Sequence, residues 1–223
     1  MVFAVHLPDG VLAGSWLAVG WVAAVGLVGV GLPRVSEDQV PRIGLLTAAL
    51  FVASQLHVPI PVGSVHLLLN AIAGILLGRF VGIAIFIALT FQAFLFAHGG
   101  FNSLGINTTV IGLPALGGFA LYRLLRPMLA RKPRLTFPAG AILGGLVSTA
   151  TVLGNGFVVV FGMAEGGKAA AITVVLFHLP VIAVESIGTG VLLAYLAVVK
   201  PEWIGLAKDQ SATGVTSANG TSH

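Results

Sequence analysis

Four histidines in the N-terminal half, His6, His57, His66 and His98, are the side chains best equipped for chemistry in a chain poor in polar groups. A neutral imidazole offers a nitrogen lone pair, the donor favoured by Ni²⁺, Co²⁺, Cu²⁺ and Zn²⁺, whereas Mg²⁺ and Ca²⁺ ask for several oxygens. Cysteine is absent, which excludes thiolate sites, iron–sulfur clusters and disulfides and leaves nitrogen or oxygen as the donors for any metal. The plainer alternative is that imidazoles suit helix ends and interfacial turns. One histidine alone would carry no more than that; four together point to a ligand.

Other constellations are weaker. Glu185 is the one carboxylate deep within an apolar run, with His178 seven residues before it. A carboxylate there costs about 2.5–3.5 kcal/mol on insertion scales and needs a partner or a role. The two lie about 10.5 Å apart along a helix, too far for a direct bond, so each is expected to meet another helix, in a structural or partner-contacting role or as a coupling pair. Gly162, Gly167 and Lys168 have phosphate-loop spacing, but Ala169 stands where the Mg²⁺-binding Ser or Thr belongs and no strand precedes them. No nucleotide is expected on this chain. Neither His-Glu-x-x-His nor Gly-x-Ser-x-Gly occurs, so no enzyme is expected and a membrane hydrolase has no support.

The elements that would position these groups are membrane helices. Of 223 residues, 57% are hydrophobic and 8% charged, against roughly a quarter charged in soluble domains. Apolar runs at about 20 residues per crossing predict an all-α polytopic bundle of seven helices near 11–32, 43–56, 65–78, 80–97, 107–122, 137–161 and 169–199. The third and fourth as one helix would be about 50 Å long, so they must fold back near Gly78 and Arg79. Pro59, Pro61 and Gly63 break helix and read as a re-entrant loop. Gly74/Gly78 and Gly140/Gly144 present small faces for close helix packing, internal by default or toward a partner's helices. Residues 1–204 read as one membrane-embedded domain, and 205–223, rich in Ser, Thr, Gly and Asn, as a polar disordered tail.

Placing the N-terminus outside and the C-terminus in the cytoplasm puts Arg34, Arg42, Arg79, Arg123, Arg126, Arg131, Lys132, Arg134, Lys200 and Lys208 inside and only Lys168 outside, as the positive-inside rule asks. The same choice puts His6, His57, His66 and His98 outside. Met1 to Val5 before His6 do not make a cleavable signal, so the first apolar run is expected to stay as a helix in the cell membrane. The net charge of +4 comes without a basic helix or aromatic platform, so nucleic acid is not an expected partner.

The segments HLPDGVLAGSW (6–16), VPIPVGSVHLLLNAIAGILLG (58–78), QAFLFAHGGFNSLGINTTVIGLPALGG (92–118) and FHLPVIAVESIGTGVLLAYLAVVKPEWI (177–204) resemble the CbiM/NikM family. These are the substrate-binding (S) components of energy-coupling-factor ABC transporters for cobalt and nickel. The likeness covers nearly the whole chain. It implies capture of Ni²⁺ or Co²⁺ as transported substrate at the outer face, with a transmembrane (T) component, two ATPase subunits and an optional small accessory membrane subunit as partners. The alternative class is a self-sufficient secondary carrier or channel, with His178 and Glu185 as its coupling pair.

The resemblance also implies roles for residues. In that family the mature chain begins Met-His and chelates the metal through its terminal amine, the next amide nitrogen and the imidazole. Carried over, His6 chelates and His66 completes the set. His98 and Asn107 match pocket positions, Asp9 follows His6 in the same motif, and His57 is a local candidate. Here Met1 to Ala4 precede Val5-His6, so the register implies a start at Val5, read from a GTG codon, which would restore the amine donor. The sequence around His66 also lacks the family's Ser-Gly before the histidine and Gly after it, so the pocket wall is expected to differ there.

Overall fold

The computed structural model describes residues 6–60 and 63–206, with the side chains of 57–65 outside that description. Val5, the side chain of His57 and residues 207–223 of the expected tail therefore lie outside it. Among the described residues there are seven α-helices: α1 (Gly14–Gly31), α2 (Val40–Ala53), α3 (Asn70–Leu77), α4 (Val81–Phe96), α5 (Leu104–Arg131), α6 (Thr136–Gly162) and α7 (Gly167–Val199). One antiparallel hairpin, β1 (His57–Ile60) and β2 (Gly63–His66), joins α2 to α3, with His57 opposite His66.

Among the described residues, five helical runs are long and apolar enough to cross a membrane: Gly14–Arg34, Asn70–Phe96, Leu104–Arg131, Pro133–Gly162 and Gly167–Val199. The exposed surface is apolar, with Val22, Leu124 and Val198 at 75%, 77% and 83% exposure. The interior holds the polar groups, Asn70, Thr108, Thr151, Asn155 and Thr189 being fully buried. That inversion is what hydrocarbon imposes on a bundle.

The Asn70–Phe96 run is bent rather than straight. Gly78 takes φ 57° and ψ −124°, a conformation that glycine reaches without a Cβ clash. A straight run of that length would hold its ends about 40 Å apart, yet the rings of His66 and His98, just outside those ends, lie 5.5 Å apart. The fold-back expected from length occurs at this glycine.

Two boundaries differ from expectation. The third helix begins at Asn70 instead of residue 65, because the chain up to His66 is paired in the hairpin. In the stretch expected to be a re-entrant loop, residues 57–60 pair with 63–66, which supplies backbone partners that an unpaired loop would lack. The fifth helix runs to Arg131 through Pro114 and Pro127. Without water as an alternative partner, the helical bonds on either side of a proline outweigh the one it removes.

α6 and α7 form a tight antiparallel pair. A Cβ on Gly144 would stand 2.8 Å from the Glu185 carbonyl and the Thr189 side chain, and one on Gly140 would stand 2.9 Å from Gly190 Cα. Ser186 Oγ donates to the Ala141 carbonyl at 2.7 Å. Gly74 likewise meets the Ala115 backbone and Gly78 the Phe119 ring, so both small-residue pairs serve internal packing. Gly144→Leu is expected to destabilise the protein by several kcal/mol or prevent folding, overpacking alone costing about 1–3 kcal/mol. Gly29→Leu, whose added atoms meet open space, should leave the thermal midpoint and chromatographic profile near those of the parent protein.

Candidate metal site

Three remote segments bring imidazoles together. His6 lies eight residues before α1, His66 ends β2, and His98 follows α4. The His6 and His66 rings stack with centroids 4.7 Å apart and an interplanar angle of 27°. His98 meets His6 edge-on at 4.9 Å. One ring nitrogen from each of the three lies within 4.8 Å of the others. His6 and His66 are buried, and His98 is half-buried.

Nitrogen donors so close can share one ion of the imidazole-favouring kind. Beside His6 and His66 is a cavity of about 20 Å³ walled by Leu50, Leu68, Ile85 and Leu89, with Ser54 and Gln92 as its polar members. It is the size of one water or one ion. His66 Nδ1 lies 3.1 Å from the Leu67 carbonyl. Because a carbonyl only accepts, this bond puts the proton on Nδ1 and makes Nε2 the lone-pair nitrogen.

His6 is held by a strap across the bundle. Leu7 N–H donates to Asn107 Oδ1 at 2.8 Å, and Asn107 Nδ2 donates back to the Leu7 carbonyl at 3.0 Å. The same carbonyl accepts from Ser103 Oγ at 2.6 Å. Ala13 N–H reaches the Gly162 carbonyl at 3.1 Å, and Leu7 and Leu12 are buried in one apolar cluster with Ile106 and Val159. Asp9 accepts from Ser103 N–H at 2.9 Å and Asn102 N–H at 3.2 Å, satisfying donors at the start of α5 that no helix carbonyl can reach. Its carboxylate packs where a Cβ on Gly100 would stand.

Among the candidates, His6, His66 and His98 converge; Asn107 and Asp9 position the strap. Glu185 bonds the corner before α3 rather than a helix: its Oε1 accepts from Leu68 N–H at 2.5 Å and Leu69 N–H at 2.8 Å. His178 is buried, and its Nδ1 turns back to the Val174 carbonyl of its own helix at 2.6 Å. Sequence reasoning missed Ser103, Gln92 and Ser54, the last two joined by a 2.6 Å bond from Gln92 Nε2 to Ser54 Oγ. A polar side chain interrupting an apolar run was the available signal.

Fold and site together define a multi-pass membrane protein with a buried cluster of imidazoles near one end. The chain belongs to the CbiM family, the cobalt uptake substrate-specific transmembrane region, whose family model matches residues 6–203. A Haemophilus influenzae protein provisionally named as a metal transport protein is 40% identical over 201 residues, covering 88% of this chain and 95% of the relative. A protein of Archaeoglobus fulgidus provisionally named as a fused nickel transport protein, NikMN, is 29% identical over 203 residues, 89% of this chain and 68% of its own. The crystal structure of a transition metal transporter superposes with a TM-score of 0.68 at 25% identity, covering 86% of this chain and 92% of the other.

Removing the Asn107 side chain leaves the buried Leu7 N–H without its acceptor, a cost of about 1–3 kcal/mol. Asn107→Ala is therefore expected to speed amide exchange across residues 6–13 by about tenfold or more, while exchange in α7 stays as in the parent. Unchanged exchange in the strap would show that Asn107 does not hold it.

Proposed function

We propose that this chain is the substrate-binding component of an energy-coupling-factor ABC transporter, taking Ni²⁺ or Co²⁺ from the outer face for ATP-driven uptake. The observation that carries this reading is the convergence of His6, His66 and His98 within 4.8 Å. A nitrogen-donor set beside an ion-sized cavity suits a borderline divalent metal over the hard, oxygen-seeking Mg²⁺ and Ca²⁺. His6 rides on the strap, so binding and covering the ion become one event: the strap that closes the pocket also brings a ligand. In a chain starting at Val5 the terminal amine would be a further donor.

The arrangement of charge supports an orientation with the N-terminus outside. Arg34, Arg79, Arg123 and Arg126 line one hollow at the Gly78 turn, the end of α3 and α4 remote from His66 and His98. Such a basic end belongs at the cytoplasmic face. Energy comes from a T component and two ATPase subunits, with a small accessory membrane subunit as a further partner and lipid around the bundle. Two features support this division of labour. Gly162 and Gly167 are ends of successive helices rather than a loop after a strand, and both pack against backbone or side chains of the bundle.

His66→Ala is expected to weaken Ni²⁺ and Co²⁺ binding to the purified chain by more than about a hundredfold, beyond the usual loss for an outer-shell partner. His178→Ala should stay within about twofold by calorimetry. In proteoliposomes, uphill uptake should require the T component and both ATPases. Retained binding in His66→Ala overturns the site, and uphill uptake by this chain alone would assign it to the secondary carriers.

A further inference from the structure

Glu185, on α7, is remote in the chain from every histidine of the site, yet it grips the backbone just after one of them. Both of its bonds go to amides just after His66, those of Leu68 and Leu69. The Leu68 N–H belongs to the same peptide unit as the Leu67 carbonyl, which accepts from His66 Nδ1. A continuous path therefore runs from the carboxylate, through one peptide group, to the imidazole. Each link fixes the next: the carboxylate sets the peptide plane, the plane aims its carbonyl, and the carbonyl sets the ring's orientation and tautomer.

The local backbone needs such a hold. Leu69 has φ 48°, the left-handed region that costs an L-residue about 1–2 kcal/mol and persists where surrounding structure over-determines it. Leu68–Asn70 is the corner where the hairpin becomes α3, and the amides there have no preceding helical carbonyl to bond. Glu185, 1% exposed, supplies two acceptors' worth of bonding from one oxygen. Asn70 braces the far side, donating from Nδ2 to the Ile111 carbonyl at 3.1 Å and to Thr151 Oγ1 at 2.9 Å.

We propose that Glu185 is the positioning residue of the metal site, holding His66 in its metal-binding orientation and tautomer through the Leu67–Leu68 peptide rather than by touching the ion. This rests on the reading of His66 as a ligand. It also gives α7 a hold on the site. The α6–α7 pair is locked by Gly140, Gly144 and Gly190, so displacing that pair relative to α3 would withdraw the acceptor from both amides and release the His66 backbone.

The test uses the full-length chain in detergent and three variants at one position. Glu185→Gln keeps an acceptor oxygen at the same reach. Glu185→Asp keeps the charge but falls one methylene short, and Glu185→Ala removes the acceptor. Without metal, amide exchange at Leu68 and Leu69 should rise in the Asp and Ala variants and stay near the parent in Gln. With Co²⁺, the Asp and Ala variants should bind about tenfold or more weakly and show an altered ligand-field spectrum at saturation. The Gln variant should stay within about threefold and keep the parent spectrum. Equal loss in Gln and Ala would mean that the charge, not the positioning bond, is what counts, and would overturn the proposal. So would parent-like affinity and spectrum in both Asp and Ala. The metal-free exchange readout reports the Glu185 grip itself, whereas failure of the parent protein to bind Co²⁺ in a way that His66→Ala abolishes would strike the ligand assignment instead.

Discussion

In a hydrocarbon surrounding, every backbone N–H and C=O must find a partner within the protein, and that requirement shapes both the bundle and its site. Helices meet it by themselves. The hairpin His57–Ile60/Gly63–His66 meets it by pairing, the corner at Leu68–Leu69 through Glu185, and the strap at Leu7 through Asn107 and Ser103. These are the places where the chain leaves helical geometry, and they carry or adjoin His66 and His6. The clustered imidazoles stand on non-helical backbone, and polar side chains bond that backbone where it is buried.

The same logic explains why the polar residues are so few and so deeply placed. Asn107, Ser103 and Glu185 are buried and bond backbone outside the helices, and the buried Asn70 ties α3 to α5 and α6 through the Ile111 carbonyl and Thr151 Oγ1. Replacing one by an apolar residue strands its partner in a medium without water, which costs more than the bond contributes while intact. A pocket framed in this way gains a fixed donor geometry. That geometry, more than donor strength, is how a protein discriminates among metals that all bind imidazole well.

Much of the bundle was legible in the sequence because hydrophobic length is a direct physical signal. α1, α4, α6 and α7 fall within a few residues of where apolar run length puts them, and the turn at Gly78 follows from a run too long to be one helix. The His6 and His66 pairing came from the family resemblance, and residue spacing could not have supplied it: 60 residues separate them, and contact depends on a strap laid across α5. The hairpin was hidden because Pro59, Pro61 and Gly63 report only that helix is broken, not what replaces it. α5 was drawn too short because the basic residues after Tyr122 look like the end of a span, whereas the helix continues past them to Arg131. The contact Glu185 makes was out of reach, since a carboxylate bonded to backbone amides leaves no complementary side chain for a sequence to show.

We propose that imidazole nitrogens of the buried cluster hold a transition-metal ion as substrate. X-ray absorption at the metal edge of the purified full-length protein loaded with one equivalent of Ni²⁺ or Co²⁺ tests it most directly. A first shell dominated by nitrogen at about 2 Å, with the outer-shell scattering of at least two imidazole rings, is the predicted result. A shell of oxygens without imidazole scattering would contradict the account.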